Sequence, residues 1–265
     1  MNIGISTATF YPLETEHALD QAIRLGSDCV EIFFNAFCET TPEFVQQLKR
    51  QLEAYEIKVT SIHPFTSGME PMFFFSNYPR RFSDGMEIYK RYFEILGELG
   101  GKYLILHGHH NKPGASMEQY VERYARLHQL GRSFGLYVAQ ENVARCLSRY
   151  PQLFKRIAQA VPDAKFTLDV KQAIRSGVTV EQMLDVMGEH LAHIHISDNS
   201  LQCDCLPVGE GTMDFEAFFR RLRQMNYGGD MVLELYQDSY SNSSQLTNSI
   251  ERLRRLWESS EEKQG

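Results

Sequence analysis

Long apolar runs are missing from this chain of 265 residues. Its uninterrupted apolar stretches have the length of strands, well short of the roughly 20 residues that a membrane helix needs. Met1 leads directly into a strand-like sequence and not into the regions of a signal peptide. With 18 Gly and 9 Pro and no biased tract, the fibrous and disordered classes are also excluded. We therefore expect a globular, cytoplasmic protein with no membrane segment.

Cysteine and basic residues are scarce as well. The five cysteines are odd in number and unevenly spaced, which favours a reduced compartment over a disulfide framework. Lys and Arg number 27 against 34 Asp and Glu, so the formal net charge is −7 at pH 7. A broad phosphate-binding surface is not expected from this balance. Nucleic acid is therefore a disfavoured partner, and a small molecule is the favoured one.

What the chain does have is a regular alternation of short β-branched or aromatic runs with amphipathic, helix-length segments. Helix starts are marked by Thr41-Pro42 and by Asp214. This alternation predicts a parallel sheet, and eight such units close a barrel. We predict an α/β protein with a single (β/α)8 TIM barrel over residues 1–258, followed by a charged C-terminal tail at 259–265. The predicted strands are 2–7, 29–34, 58–64, 103–108, 136–142, 165–170, 191–197 and 231–236.

Most of the predicted strands end in a carboxylate or an imidazole. In a (β/α)8 barrel the carboxyl ends of the strands converge on one face, where residues distant in sequence come within ligand distance of one another. Seven of the eight strands end in this way, which predicts a polar site on that face. The residues are Glu31, His63, His107, Glu141, Asp169, His195 and Glu234.

Four of these residues, Glu141, Asp169, His195 and Glu234, end the fifth to the eighth strand. Three carboxylates and an imidazole in one place would repel one another unless a cation lay between them. Oxygen ligands with one nitrogen suit Mn²⁺, Co²⁺, Mg²⁺ or Zn²⁺. We predict one divalent ion at this site. For any single acid of the four, an ordinary ion pair with Lys or Arg is the alternative.

Several short motifs extend over the whole predicted barrel, and their order and spacing are more specific than any one of them. They are LILHGHH at 104–110, QENVA at 140–144, FTLDVKQA at 166–173, HIHISDNS at 193–200, LPVGEGTMDFEAF at 206–218 and VLELY at 232–236. With these motifs the chain resembles the xylose-isomerase-like TIM-barrel superfamily. That superfamily contains sugar phosphate isomerases and epimerases, inosose dehydratases, and apurinic endonucleases of the endonuclease IV type.

The resemblance, carried over position by position, implies that Glu141, Asp169, His195 and Glu234 ligate a metal ion. In the epimerase branch the two glutamates also act as acid and base. A metal ion that polarises a carbonyl makes the neighbouring C–H acidic and stabilises the enediolate. Glu141 and Glu234, on opposite faces of the substrate, would then invert that carbon by proton transfer.

His63 and His107 match two histidines of the endonuclease branch. There they hold another zinc ion, together with the glutamate that corresponds to Glu141. A second metal is therefore one interpretation of this pair. Contact with substrate hydroxyls is the other.

Two places depart from the superfamily's pattern. The resemblance implies Asp-x-x-His at the end of the sixth strand, where this chain has Gln172 instead of the histidine. The endonuclease branch also has an Asp-x-His pair where this chain reads Cys203-Asp204-Cys205. The ligands of the endonuclease's third metal are thus altered, which disfavours DNA as the substrate. Metal binding by Cys203 and Cys205 is left open.

Substrate contacts are predicted from four residues near the strand ends. Lys171 and Arg145 would bind an anionic group, Gln172 would form hydrogen bonds, and Phe33 would stack on a sugar ring. A solvated or salt-bridged position is the alternative for the two cations. The segment 65–79, dense in Phe and Met, is predicted to be a lid or a subunit contact, with packing over the barrel rim as the alternative.

The predicted function is a metal-dependent isomerase or epimerase of a small sugar or polyol derivative. An inosose-type dehydratase would use the same metal core, and an endonuclease IV-like phosphodiesterase would need two or three metals. A sugar-binding barrel without activity is the non-enzymatic alternative. Assembly into a homo-oligomer is left open.

Overall fold

The computed structural model describes residues 1–112 and 116–262. Eight parallel strands form a closed barrel in sequence order, with the last strand paired to the first. The predicted single (β/α)8 barrel is therefore confirmed. The strands are β1 Ile3–Ser6, β2 Cys29–Phe33, β3 Lys58–His63, β4 Tyr103–Leu106, β5 Tyr137–Glu141, β6 Lys165–Asp169, β7 Leu191–Ile196 and β8 Asp230–Leu233.

Helices cover the outside of the barrel because the outward side chains of the strands are apolar. Val30 and Ile32 of β2 alternate with the inward Glu31 and are fully buried beneath this outer layer. Two of the helices, α3 and α7, are short additions at the carboxyl ends of strands. The helices are α1 Thr15–Arg24, α2 Pro42–Ala54, α3 Glu70–Phe73, α4 Pro79–Glu98, α5 Met117–Ser133, α6 Pro151–Ala160, α7 Val170–Arg175, α8 Val180–Met187, α9 Phe215–Gln224 and α10 Ser243–Glu262.

The barrel is tightly packed where β1 meets β2. A Cβ atom on Gly4 would lie 1.6 Å from the carbonyl oxygen of Cys29, so only glycine fits this position. An apolar cluster of Tyr103, Ile105, Ala139 and Ala192 fills part of the barrel on the side of β4, β5 and β7. Apolar side chains therefore pack part of the lumen, as in other barrels of this kind.

All eight strands end before the limits that the sequence predicts, six of them by one residue, β4 by two and β8 by three. β4 ends at Leu106 and β8 at Leu233, so His107 and Glu234 each lie one residue beyond their strand. Glu234 still donates its backbone N–H to the carbonyl of Ile196 at 3.1 Å, which fixes its backbone beside β7. Both side chains therefore start at the point where a strand passes into the loop that follows it.

The segment 65–79 packs against the rim of the barrel. Its three consecutive phenylalanines, Phe73, Phe74 and Phe75, are all buried. Phe74 packs edge-on against Tyr89 of α4, with ring centroids 4.7 Å apart. The structure thus supports the packing alternative over the predicted lid, because the apolar rings already have partners in the core.

The C-terminal helix, α10, runs through Glu262. It includes residues 259–262 of the predicted tail, and residues 263–265 lie outside the described part of the chain. Arg223 of α9 forms an ion pair with Glu261 at 2.7 Å. Within residues 1–112 and 116–262, no helix combines the length and the apolar character that crossing a membrane requires. All five cysteines are free thiols.

Asp230 closes the opposite, amino-terminal end of the barrel with a polar cluster. Its Oδ2 accepts from Lys58 Nζ at 2.6 Å and from the Thr60 hydroxyl at 2.8 Å, and its Oδ1 accepts from Asn2 Nδ2 at 2.9 Å. Burial opposes ionisation of Asp230, but the donors from Lys58 and Thr60 hold its pKa below the usual value of 3.8. The charged carboxylate therefore joins β8 to β3 and to the residue that precedes β1.

Asp230→Asn is expected to lower the free energy of unfolding by about 2 kcal/mol at neutral pH, since hydrogen bonds to a charged group are lost. The folded pKa lies below the unfolded one, so this stabilisation is fully present above about pH 4 and is lost as the pH falls through the folded pKa. Urea unfolding between pH 2 and pH 7 tests this. The difference between variant and wild type should shrink below about pH 4; a constant difference would contradict the assignment.

Candidate metal centre

The four predicted ligands meet at the carboxyl ends of β5 to β8. Glu141, Asp169, His195 and Glu234 each offer one ligand atom, and these atoms all lie within 4.8 Å of one another. His195 Nδ1 is central. It lies 2.6 Å from Glu234 Oε2, 3.7 Å from Glu141 Oε1 and 3.8 Å from Asp169 Oδ2. The structure thus brings together residues separated by as many as 93 positions.

Glu31 contacts Nε2, the ring nitrogen of His195 that faces away from the other three predicted ligands. Its Oε2 lies 2.9 Å from His195 Nε2, and its carboxylate also accepts from the hydroxyls of Ser6 at 3.0 Å and Ser61 at 2.8 Å. An Nε2–H that donates to Glu31 leaves Nδ1 to face the other three ligands. The strand-end pattern contains Glu31 but assigns it no role, because β2 and β7 are not neighbours in the barrel.

The charge of His195 depends on the carboxylates that surround its ring. Burial opposes a positive charge on the ring, but Glu31 and Glu234 hold the pKa of His195 well above its usual value of 6.5. A second proton on the ring supplies the positive charge that balances the carboxylates around Nδ1. A metal ion bound at Nδ1 would replace that proton and supply the charge instead.

Glu141 and Glu234 are both ionised at neutral pH. Burial opposes their charge, yet the hydrogen-bond donors and cations around them prevail. His107 holds the pKa of Glu141 well below 4.5, and Lys171 together with His195 lowers the pKa of Glu234 to about 2. Both glutamates are therefore present as carboxylates, which is the form that accepts a proton.

Lys171 lies inside the centre, at the start of α7, in the salt-bridged kind of position that was one of its alternatives. Its buried ammonium group contacts Asp169 Oδ2 and lies 3.2 Å from Glu234 Oε2. Burial opposes this charge, but Asp169 and Glu234 hold the pKa of Lys171 well above its usual value. Lys171 therefore places a permanent cation against two of the predicted metal ligands.

The donor atoms fit a divalent metal ion. Among the described residues, Glu141 Oε2, His195 Nδ1 and Glu234 Oε2 are buried and make no hydrogen bond of acceptable geometry. Converging carboxylate oxygens that lack hydrogen bonds of good geometry are stabilised by a cation. Carboxylate oxygens with one imidazole nitrogen suit Mn²⁺, Co²⁺, Mg²⁺ or Zn²⁺.

His63 and His107 form a second group beside the first. Their Nε2 atoms lie 2.8 Å apart, and Glu141 Oε2 lies 3.0 Å from His107 Nε2 and 3.8 Å from His63 Nε2. Phe33 stacks on His63, with ring centroids 4.4 Å apart. On the far side of His107, an Arg145 guanidinium nitrogen lies 3.2 Å from its Nδ1. Glu141 is thus shared between this group and the predicted metal ligands.

The loop after β4 is held by Glu70, which the sequence does not predict as a site residue. The buried carboxyl group of Glu70 accepts from the Gly108 backbone N–H and from the Tyr89 hydroxyl at 2.6 Å. Gly108 has a φ of +88°, and a Cβ there would lie 1.6 Å from the Tyr120 hydroxyl, so only glycine fits. Burial raises the pKa of Glu70 to about 8. The hydrogen bonds to Glu70 therefore fix the backbone next to His107.

Gln172 connects α7 to the loop after β5. Its side-chain Oε1 accepts from the backbone N–H of Ala144 at 3.0 Å, and its own backbone N–H donates to Asp169 Oδ1 at 3.0 Å. At the position where the resemblance implies a metal-binding histidine, this chain therefore has a residue that anchors a loop.

The two cysteines of the Cys203-Asp204-Cys205 stretch make local contacts. Cys203 Sγ donates to the carbonyl of Cys205 at 3.3 Å, and Asp204 forms an ion pair with Arg175. In the described ranges, neither cysteine belongs to a group of three or more metal-ligating side chains.

Fold and site together define a (β/α)8 barrel with a carboxylate- and histidine-lined centre at the carboxyl ends of its strands. The chain belongs to the xylose isomerase-like TIM barrel family, whose model matches residues 19–256. Among related proteins, the fructoselysine 3-epimerase of Escherichia coli O157:H7 is 23% identical over 273 residues. That alignment covers 97% of this chain and 98% of the relative.

Solved structures share the fold along the whole chain. A D-tagatose 3-epimerase-like protein superposes with a TM-score of 0.82 at 19% identity, with 100% of both chains covered. The IolI protein with a bound zinc atom superposes with a TM-score of 0.77 at 16% identity, covering 97% of this chain and 98% of that one. At these identities the likeness establishes the common barrel.

Proposed function

We propose that this protein is a metal-dependent epimerase of a small ketose or ketose derivative. The observation that carries the proposal is the convergence of Glu141, Asp169, His195 and Glu234 within 4.8 Å of one another. The names of two similar proteins, a fructoselysine 3-epimerase and a D-tagatose 3-epimerase-like protein, support the choice of an epimerase.

These four residues would hold the ion, which when bound would polarise a substrate carbonyl oxygen and stabilise negative charge on it. Glu141 and Glu234 are ionised; Glu141 ends β5 and Glu234 follows β8, on either side of β6 and β7. One glutamate removes the proton from the carbon beside the carbonyl and later releases it to solvent, and the other takes up a proton from solvent and delivers it to the opposite face of that carbon. The carbon is inverted because the two transfers occur on opposite sides.

Other residues of the mouth would bind and orient the substrate. Phe33, held against His63, offers a ring face for the apolar side of a sugar. Lys171 keeps Glu234 ionised from a distance of 3.2 Å and presents its remaining N–H groups as donors. Arg145 and Gln172 shape the rim through the loop after β5.

Deuterium exchange tests the proposal directly. The protein is loaded with Mn²⁺ and incubated in D₂O with a panel of ketoses, aldoses and inososes, and each mixture is followed by NMR. We expect deuterium to enter at the carbon beside the carbonyl of at least one ketose, with its epimer appearing. Protein stripped of metal by a chelator is the control and should not exchange. Product that has lost water would indicate a dehydratase instead, and no exchange with any sugar would contradict the proposal.

A further inference from the structure

The neighbours of His63 and His107 determine where the hydrogens of these two rings lie. His63 Nδ1 lies 3.4 Å from the carbonyl oxygen of Pro64, which only accepts, so Nδ1 carries the hydrogen and Nε2 is an acceptor. Arg145 only donates, and its guanidinium nitrogen lies 3.2 Å from His107 Nδ1. His107 Nδ1 is therefore an acceptor, and its hydrogen lies on Nε2. The 2.8 Å contact between the two Nε2 atoms is then a hydrogen bond from His107 to His63.

A second metal ion would need a different arrangement. Its ligands would be His63 Nε2, His107 Nε2 and Glu141 Oε2, which lie close enough to share an ion. Both Nε2 atoms would then need free lone pairs, and the hydrogen of His107 would move to Nδ1. There it would face the N–H groups of Arg145, donor against donor. The guanidinium charge, one imidazole ring away, would also repel the ion.

We infer that Arg145 keeps His107 in the Nε2–H form and thereby excludes a second metal ion from the His63–His107–Glu141 group. Arg145 is in this sense a specificity-determining residue. It leaves one ion in the centre and keeps His107 Nε2 as the hydrogen-bond donor to His63. Hydrolysis of phosphodiesters by paired metal ions is thus disfavoured in this barrel.

The loop that carries Arg145 is fixed at several points. The carbonyl oxygen of Arg145 accepts from the backbone N–H of Asn111 at 2.9 Å, and the preceding residue, Ala144, donates to Gln172 Oε1 at 3.0 Å. His110 and Cys146 form an antiparallel bridge between the loops after β4 and β5. Gln172 therefore supports the loop that blocks the second metal ion, at the position where the resemblance to the endonuclease branch implies a ligand of a third metal.

The inference rests on the proposed function only in assuming the first ion. Counting the bound metal ions distinguishes failure of the inference from failure of the proposed function. Wild type, Arg145→Gln, Arg145→Lys and Arg149→Gln are titrated with Zn²⁺ by calorimetry, and the bound metal is counted after gel filtration. The amide oxygen of Gln accepts from an Nδ1–H, whereas Lys only donates, as Arg does. Arg149, which donates to the Ser176 carbonyl, is the matched control.

We expect one ion per chain in wild type, Arg145→Lys and Arg149→Gln, and a second ion in Arg145→Gln bound about 10–100-fold more tightly than in wild type. Adding His107→Ala to Arg145→Gln should remove that second ion alone. A second ion of equal affinity in wild type, or none in Arg145→Gln, would overturn the inference. If wild type binds no ion while Arg145→Gln binds one that needs His107, the inference stands and the proposed function fails.

The hydrogen position provides a readout that needs no metal. Two-bond proton–nitrogen NMR correlations of the metal-free protein distinguish the two neutral forms of a histidine ring. We expect His107 to carry its hydrogen on Nε2 in wild type and in Arg145→Lys. A hydrogen on Nδ1 of wild-type His107 would overturn the inference.

Discussion

Glu234→Gln is expected to lower the rate of substrate deuterium exchange by about 10³-fold, within the range that a positioned base contributes. The amide has nearly the shape of the carboxylate but does not accept a proton at neutral pH. Glu234 lies 2.6 Å from His195 and 3.2 Å from Lys171 at the mouth of the barrel, so the substitution leaves the apolar core unchanged. The fold should therefore persist, which circular dichroism and thermal unfolding will show.

Glu234 has two proposed roles, base and metal ligand, and the experiment must separate them. Exchange is measured at saturating Mn²⁺, and binding of Mn²⁺ is titrated in parallel. Glu53→Gln, an exposed position on α2, is the control and should exchange at the wild-type rate. Wild-type exchange by Glu234→Gln would remove this residue from the mechanism.

Replacing Glu31 is expected to weaken both the fold and metal binding, although Glu31 does not touch the ion site itself. Glu31→Ala leaves His195 Nε2 and the hydroxyls of Ser6 and Ser61 without their acceptor in the interior. Loss of one partner of a buried charged pair costs about 3–5 kcal/mol of stability. Urea unfolding of the metal-free protein measures this loss.

Glu31→Gln tests the orienting role with less damage to the fold. The amide is a weaker acceptor for His195 Nε2–H, so affinity for Mn²⁺ should fall by about 10–100-fold. Ser61→Ala is the matched control, because it removes one donor to Glu31 without removing the acceptor of His195. Its Mn²⁺ affinity should equal that of wild type. Unchanged affinity in Glu31→Gln would show that Glu31 does not position His195.

Much of the centre follows from strand order alone. Glu141, Asp169 and His195 lie at or next to the ends of successive strands, and parallel strands in a closed barrel bring those ends to one face. No distance had to be known for this prediction. The segment 65–79 is different, because a run of phenylalanines suits a lid and a packed rim equally well. Only the positions of Tyr89 and its neighbours in the structure decide between the two.

The sequence by itself determined the eight-fold alternation, the closed barrel and the face on which its acids and histidines gather, because strand and helix periods are local properties of the chain. The tertiary structure alone decided the pairings: Glu31 with His195 across the barrel, Lys171 with Asp169, and Arg145 with His107. These contacts depend on the stagger of the strands and on the course of the loops. Both arise from the packing of the whole barrel, and no local pattern encodes them.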